Sequence, residues 1–295
     1  PRLPRPELRA HERQPPAQVE RAAELLAAAE MPIIHAGSGV IHAGAYAELR
    51  RVAELLHAPV TTSWAARGVL PETSELAIPM PFIPLNNEVR NDADLVLVVG
   101  SRLGETDWWG KAPYWRHPSE QQMIQVDIDG HILGANKPAA LAVLADAKLF
   151  LAALADRLAS LTGRMNLESR RRKVAKYREK AREERAKLDE KLTDMAVPMN
   201  PAHVAHVCEQ VFPAESVLVA DGGNAAVWAM MFTQSRVPNT ILSTFKMGML
   251  GAGVAQATGA AVARPDHPVC CIIGDGAMGF HPQEVETAVR NGLRV

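Results

Sequence analysis

The sequence predicts an α/β protein of two parallel-sheet, three-layer α/β/α domains joined by a charged helical linker. Three observations lead there. Short continuous apolar runs such as "DLVLVV" and "PVCCII" alternate with amphipathic stretches, as parallel strands covered on both faces do. That rhythm runs twice along the chain. Between the two runs, 18 of the 30 residues from 164 to 193 are charged, twelve basic and six acidic.

Residues 1–16 hold five prolines among mostly polar neighbours and read as an extended linker. The first domain is expected over 17–162. Its helices are "QVERAAELLAAAE", "AYAELRRVAELLHA" and "AKLFLAALADRLASL". Its strands are "MPIIHAG", "PVTTS", "DADLVLVVGSR", "QMIQVDID" and "LAVLAD". Residues 163–198 form the linker, where Leu167, Val174, Tyr177, Ala181, Leu188 and Leu192 fall on one helical stripe. Lys180–Glu184 and Glu183–Lys187 have i,i+4 spacing. The second domain, 199–295, opens with a helix capped by Asn200 with Pro201 in its first turn. "SVLVADGGN", "TILS" and "PVCCIIGDG" are its strands. "AAVWAMMF", "MGMLGAGVAQATGAAVA" and "PQEVETAVRNG" are its helices.

The 295 residues carry a formal net charge of -1, which gives no reason to expect nucleic acid or a membrane surface as partner. No apolar run approaches the roughly 20 residues of a membrane helix. Cys208, Cys270 and Cys271 have no metal or redox spacing and read as small buried residues of a reducing, cytoplasmic protein. His203 and His206, three apart on one helix, read as ordinary surface or core histidines rather than a metal site.

Two strands of the second domain end in glycine turns that carry an Asp: Asp221-Gly222-Gly223-Asn224 and Gly274-Asp275-Gly276-Ala277. Ligands of parallel sheets sit beyond the carboxyl ends of strands. Glycines there bring backbone N–H groups to an anion, and a following helix start adds positive potential. An Asp beside a bare phosphate would repel it. A divalent cation between them removes the conflict, because Mg²⁺ takes carboxylate and phosphate oxygens together. An ordinary strand–turn–helix with an Asp cap gives the same pattern.

"IIGDGAMGF…EVETAVRNGLRV" resembles the thiamine-diphosphate motif, and "NPAHVAHVCEQVFPAESVLVADGGN" is similar to the entry of that family's diphosphate-binding domain. "MPIIHAGSGVIHAGAYAELRRVAELLHAPVTTSWAARGVLPE", "DADLVLVVGSRLGE" and "IQVDID" resemble the central domain of acetolactate-synthase-like enzymes. The resemblance implies thiamine diphosphate and Mg²⁺ as cofactors. It makes Asp275 the metal ligand, Gly274, Gly276 and Ala277 diphosphate contacts, and Gly223 and Asn224 a turn near the diphosphate tail. In "KMGMLGAG" it makes Gly248 the carbonyl acceptor for the 4′-amino group. Leu250 is then the wedge under the cofactor, with Met249 the competing candidate.

The motif's second metal ligand, an Asn about two dozen residues after GDG, falls past Val295. The family's catalytic Glu belongs to an N-terminal pyrimidine-binding domain. The resemblance therefore implies a truncated second domain, a missing first domain, no catalytic residue here and a chain inert by itself. The whole protein is expected to be a homodimer or homotetramer acting on a 2-oxo acid such as pyruvate, as a transferase or lyase. A 2-hydroxyacyl-CoA lyase or oxalyl-CoA decarboxylase relative is an alternative, and a non-catalytic nucleotide-binding module another. In the central domain Gly37, Ser38, Gly39, Arg102, Asp127 and Asp129 lie at strand ends, where relatives hold FAD, ADP or CoA, or nothing. "WWGKAPYW", 108–115, is expected to pack the domain edge rather than cover a nucleotide ring.

Overall fold

The computed structural model describes residues 16–244 and 247–295. Apart from Pro16, the expected linker lies outside them, as do Phe245 and Lys246. The chain divides into two compact units. One runs to Val60 and from Asn87 to Val174; the other takes Thr61–Asn86 and Ala175–Val295. Residues 61–86 thus cluster with the second unit, although in sequence they lie inside the expected first domain.

The first part of the chain folds as α1 (Pro16–Ala28), β1 (Pro32–Ala36), α2 (Ser38–Ala43), α3 (Tyr46–Leu56), β2 (Val60–Thr62), α4 (Ile83–Asp92), β3 (Leu95–Val99), β4 (Gln122–Asp127), β5 (Leu141–Leu144) and α5 (Ala147–Ala159). The sheet order is β2-β1-β3-β4-β5. β1, β3, β4 and β5 pair in parallel, with Ile34 beside Leu97 and Leu97 beside Ile124. All five residues of β3 are buried, which is why "LVLVV" shows no alternation. The Asp146 side chain caps α5 by accepting from the N–H groups of Lys148 and Leu149.

The described part of the second half holds α6 (Leu167–Leu192), α7 (Pro201–Val211), β6 (Val217–Asp221), α8 (Asn224–Phe232), β7 (Ile241–Ser243), α9 (Gly253–Ala263), β8 (Val269–Ile273), α10 (Asp275–Met278) and α11 (Glu284–Arg290). Its sheet is parallel, in the order β7-β6-β8. Side chains alternate across β6: Val217 and Val219 pack with Ala257 and Ala261 of α9, and Ala220 packs with Ala226 and Ala229 of α8. Helices therefore cover both faces. On α6, Val174, Tyr177 and Leu192 of the expected stripe are buried. Lys187 pairs with Glu184 at 3.0 Å rather than with Glu183. Asn200 caps α7 as expected, its side chain accepting from Ala202 N–H.

Two readings need correction. The helix expected from Met247 starts only at Gly253. Gly248 (φ 60°) and Gly251 (φ 92°) are left-handed, so the chain turns before it can coil. Helix α4 was not anticipated. Its buried face mixes Leu85 and Val89 with Asn86 and Arg90, so apolar periodicity does not reveal it.

Candidate cofactor site

In the second unit the chain leaves β6 for β7 on one side and returns to β8 on the other. The order reverses between β6 and β8, the place where open parallel sheets bind ligands. Both glycine turns stand there, at the carboxyl ends of these strands. Helices α8 and α10 start from them at Gly223 and Gly274, and neither start has a side-chain cap. First-turn N–H groups have no acceptor within their own helix, so such ends favour an anion.

The two aspartates have separate tasks. Asp221 is 1% exposed. Its Oδ1 accepts from Gly222 N–H at 2.6 Å, and its Oδ2 accepts from Gly251 N–H at 3.0 Å and Gly253 N–H at 2.6 Å. Its main-chain oxygen accepts from Gly274 N–H at 3.2 Å. One buried residue thus ties the turn after β6 to the 247–252 turn and to the turn after β8. A Cβ on Gly253 would stand 2.7 Å from the Asp221 Cβ, so only glycine permits this approach. Asp275 is exposed, and its Oδ1 accepts from Gly276 N–H at 2.8 Å.

Gly223, Asn224 and Gly276 are exposed and Ala277 is buried. Gly248 donates its N–H to Thr244 O at 2.9 Å. The Met249 carbonyl accepts from Thr244 Oγ1 at 2.7 Å. Met249 and Leu250 are both exposed, at 58% and 42%. Among the described residues no three His, Cys, Asp or Glu side chains gather as a metal site. His203 Nδ1 bonds Leu192 O at 2.8 Å, and His206 Nε2 bonds Gln210 at 2.9 Å.

In the first unit the order reverses between β1 and β3. A cleft of about 380 Å³ opens at these strand ends, lined by Ser38, Gly39, Arg102, Asp127, Asp129 and Asp146 among others. Gly37 N–H donates to Val99 O at 2.9 Å and Gly39 N–H to Gly100 O at 3.0 Å. These two amides are thus engaged by the neighbouring strand end. Burial raises the Asp127 carboxyl above its usual range.

The first unit also holds a buried polar cluster that the motifs did not reveal. His35 Nε2 is 3.5 Å from Asp107 Oδ1, and Arg90 stacks over Trp115 at 4.7 Å and Trp108 at 5.6 Å. Trp115 is fully buried and donates to Asp107 O at 2.8 Å. "WWGKAPYW" therefore packs the interior with Trp115, while Trp108 stacks on Tyr114 at 4.5 Å. Burial lowers the His35 pKa. Burial alone would raise the Asp107 pKa, but His35 and Arg90 beside it bring it below the ordinary value.

Comparison with known proteins agrees with both halves. The family model for the thiamine pyrophosphate enzyme central domain matches residues 19–154, and that for the C-terminal TPP binding domain matches 221–295. The chain belongs to the thiamine pyrophosphate enzyme family. It is 30% identical over 95% of its length to a sulfoacetaldehyde acetyltransferase of Alcaligenes xylosoxydans, covering 50% of that protein. It is 29% identical over 94% of its length to the acetolactate synthase large subunit of Corynebacterium glutamicum, covering 44% of it. With the 2-hydroxyacyl-CoA lyase of Arabidopsis thaliana the identity is 28% over 95% of the chain and 48% of the relative. The chain spans about half the length of the curated relatives it matches. In fold it matches the X-ray structure of a Mycobacterium smegmatis protein described as thiamin diphosphate-dependent, with TM-score 0.69, 22% identity, 98% of this chain and 53% of that one.

The family's cofactor suits the second-unit crevice. Two uncapped helix starts offer N–H groups to a diphosphate. One exposed carboxylate beside them suits Mg²⁺, which binds through one or two carboxylates together with phosphate oxygens. Among the described residues, no helix is long and apolar enough to cross a membrane.

Proposed function

We propose that this chain serves a thiamine-diphosphate- and Mg²⁺-dependent enzyme of acetolactate synthase type, which decarboxylates a 2-oxo acid and passes the fragment to an acceptor. The observation that carries the reading is the reversal of strand order between β6 and β8, with uncapped starts of α8 and α10 and the exposed Asp275 at the strand ends. Asp275 would ligate Mg²⁺. Backbone N–H groups at Gly223, Asn224 and Ala277 would hold the diphosphate, with Gly274 and Gly276 shaping the turn, where the Gly276 N–H is engaged by Asp275 Oδ1. The Gly248 carbonyl would accept from the aminopyrimidine, and Leu250 would support the cofactor from below, with Met249 next to it. Bound there, thiamine diphosphate supplies a nucleophilic carbon and the electron sink for loss of CO₂. The chain's own task is to hold the two ends of the cofactor and keep its charge paired.

The relatives support a transferase or lyase, and the Arabidopsis relative supports 2-hydroxyacyl-CoA cleavage as the second reading. The first-unit cleft would take a nucleotide of the FAD or ADP/CoA kind, with Arg102 and Ser38 toward phosphate and Asp127 and Asp129 toward sugar hydroxyls. The whole protein would act as a homodimer or homotetramer.

Calorimetry with thiamine diphosphate, with and without Mg²⁺, tests the site. Asp275→Asn should remove the Mg²⁺-dependent part of binding while leaving the fold intact. Equal affinity in wild type and variant would withdraw the metal assignment. Turnover of pyruvate against 2-hydroxyacyl-CoA donors by the whole protein separates the two readings.

A further inference from the structure

Helix α8 presents its first turn to the cofactor crevice, and its other end is held from far away in sequence. Its last turn contains no basic residue. Carbonyls there lack partners within the helix and favour a cation. Arg67 supplies one. It is 2% exposed, and its Nη1 donates to Met230 O at 2.5 Å while its Nη2 donates to Thr233 O at 2.8 Å. The same guanidinium grips Glu72 through Nε at 2.7 Å and Nη2 at 2.8 Å. Glu72 in turn accepts from Ser235 N–H at 2.8 Å, and its own N–H donates to Ser235 O at 2.9 Å.

The rest of the segment is shaped to this contact. Gly68 has φ 83°, and a Cβ there would stand 2.3 Å from Ser235 Oγ and 2.7 Å from Val237 O. Trp64 packs against the cluster formed by Ala220, Ala226, Ala229 and Met230. By sequence, residues 61–86 lie within the match to the family's central domain; in space they are part of the second unit.

We propose that Arg67 and Glu72 are positioning residues for the thiamine diphosphate site. They fix the carboxyl end of α8 and thereby the place of Gly223 and Asn224 at its amino end. A nine-residue helix is a rigid rod of roughly 13 Å, so a shift at one end reaches the other. The pair is electrically balanced and buried, which makes it a geometric device rather than a source of potential at the crevice. The proposal rests on the cofactor reading given above.

The test uses Arg67→Lys, the paired Arg67→Met/Glu72→Met, and Leu49→Ala. Lys keeps the charge but cannot span both carbonyls and the carboxylate. The paired variant strands no charge. Leu49→Ala truncates the core of the first unit and controls for general loss of stability. All variants are made in the whole protein; circular dichroism and melting identify folded protein, and calorimetry gives its affinity for Mg²⁺–thiamine diphosphate. Arg67→Lys and the paired variant should bind on the order of tenfold more weakly, as loss of supporting contacts does elsewhere. Leu49→Ala should bind like wild type. No binding by wild type would remove the cofactor reading and this proposal with it. Binding by wild type with unchanged affinity in folded Arg67→Lys would overturn the positioning role alone. Equal weakening in Leu49→Ala would overturn it too.

Discussion

Asp221 and Asp275 sit in look-alike turns, and one isosteric substitution separates their roles. In Asp221→Asn the amide oxygen can replace only one carboxylate oxygen. In the Oδ2 place it keeps Gly251 and Gly253 as neutral bonds and turns its NH₂ toward Gly222 N–H. In the other orientation it loses two bonds. Hydrogen bonds to a charged group are worth about 1.5–3 kcal/mol, and a stranded buried donor costs about 1–3 kcal/mol. The cheaper orientation therefore costs about 3 kcal/mol. For a unit of this size that corresponds to a fall of roughly 6–12 °C in Tm. The assay is urea unfolding by circular dichroism, with thermal melts as a second measure. Limited proteolysis should show earlier cutting near Met247–Leu250, because that turn loses its anchor. Asp275→Asn, at an exposed site, should stay within about 0.5 kcal/mol. A change below about 1 kcal/mol for Asp221→Asn, or equal changes for the two, would refute this division.

The His35–Asp107–Arg90 cluster predicts acid sensitivity of the first unit. Burial lowers the His35 pKa below its ordinary 6.5, so the unfolded chain takes up the proton first. Stability is full above about pH 6.5 and should fall as pH drops below it; the Asp107 carboxyl, also lowered, adds its loss only below about pH 4. Urea melts at pH 7, 6 and 5 should show the decline, His35→Gln should flatten it, and a flat wild-type profile would sink the account. Burial pushes the Cys270 thiol up to about 12 and Cys271 up to about 11, so neither forms much thiolate at pH 8. Iodoacetamide in native buffer should modify Cys208 first and all three only after denaturation; equally fast labelling of Cys270 by mass spectrometry would contradict this.

Strands were legible because each is a compact apolar run, and the glycine turns because parallel sheets place ligands at strand ends. What was hidden depends on contacts made far along the chain. Asp221 and Asp275 look alike locally; Asp221 differs because its acceptors reach amides 30 and 32 residues later. Arg67 caps carbonyls 163 and 166 residues away, and backbone carbonyls leave no mark in sequence. His35 reads as one histidine in a strand, and its partners Asp107 and Arg90 come from separate elements. The late start of α9 follows from two left-handed glycines that composition alone reads as small helix-packing residues.

The two crevices share a topology but differ in what remains free to bind. In the second unit Asp221 absorbs the amides of Gly222, Gly251 and Gly253, leaving the starts of α8 and α10 uncapped and Asp275 exposed. That set suits an anion together with a hard cation. In the first unit the amides of Gly37 and Gly39 are engaged by Val99 and Gly100. The cleft presents Ser38 and Arg102 with Asp127, Asp129 and Asp146. Asp127 and Asp129 each accept from a nearby N–H, that of Asp129 at 3.0 Å and that of His131 at 2.9 Å. Such a cleft repels a bare diphosphate and rewards one that brings hydroxyl donors. Inorganic pyrophosphate without Mg²⁺ should therefore leave the nucleotide binding proposed for the first unit unchanged, and with Mg²⁺ it should compete with thiamine diphosphate in the second. Equal competition at both would show that the carboxylates of the first cleft do not select its ligand.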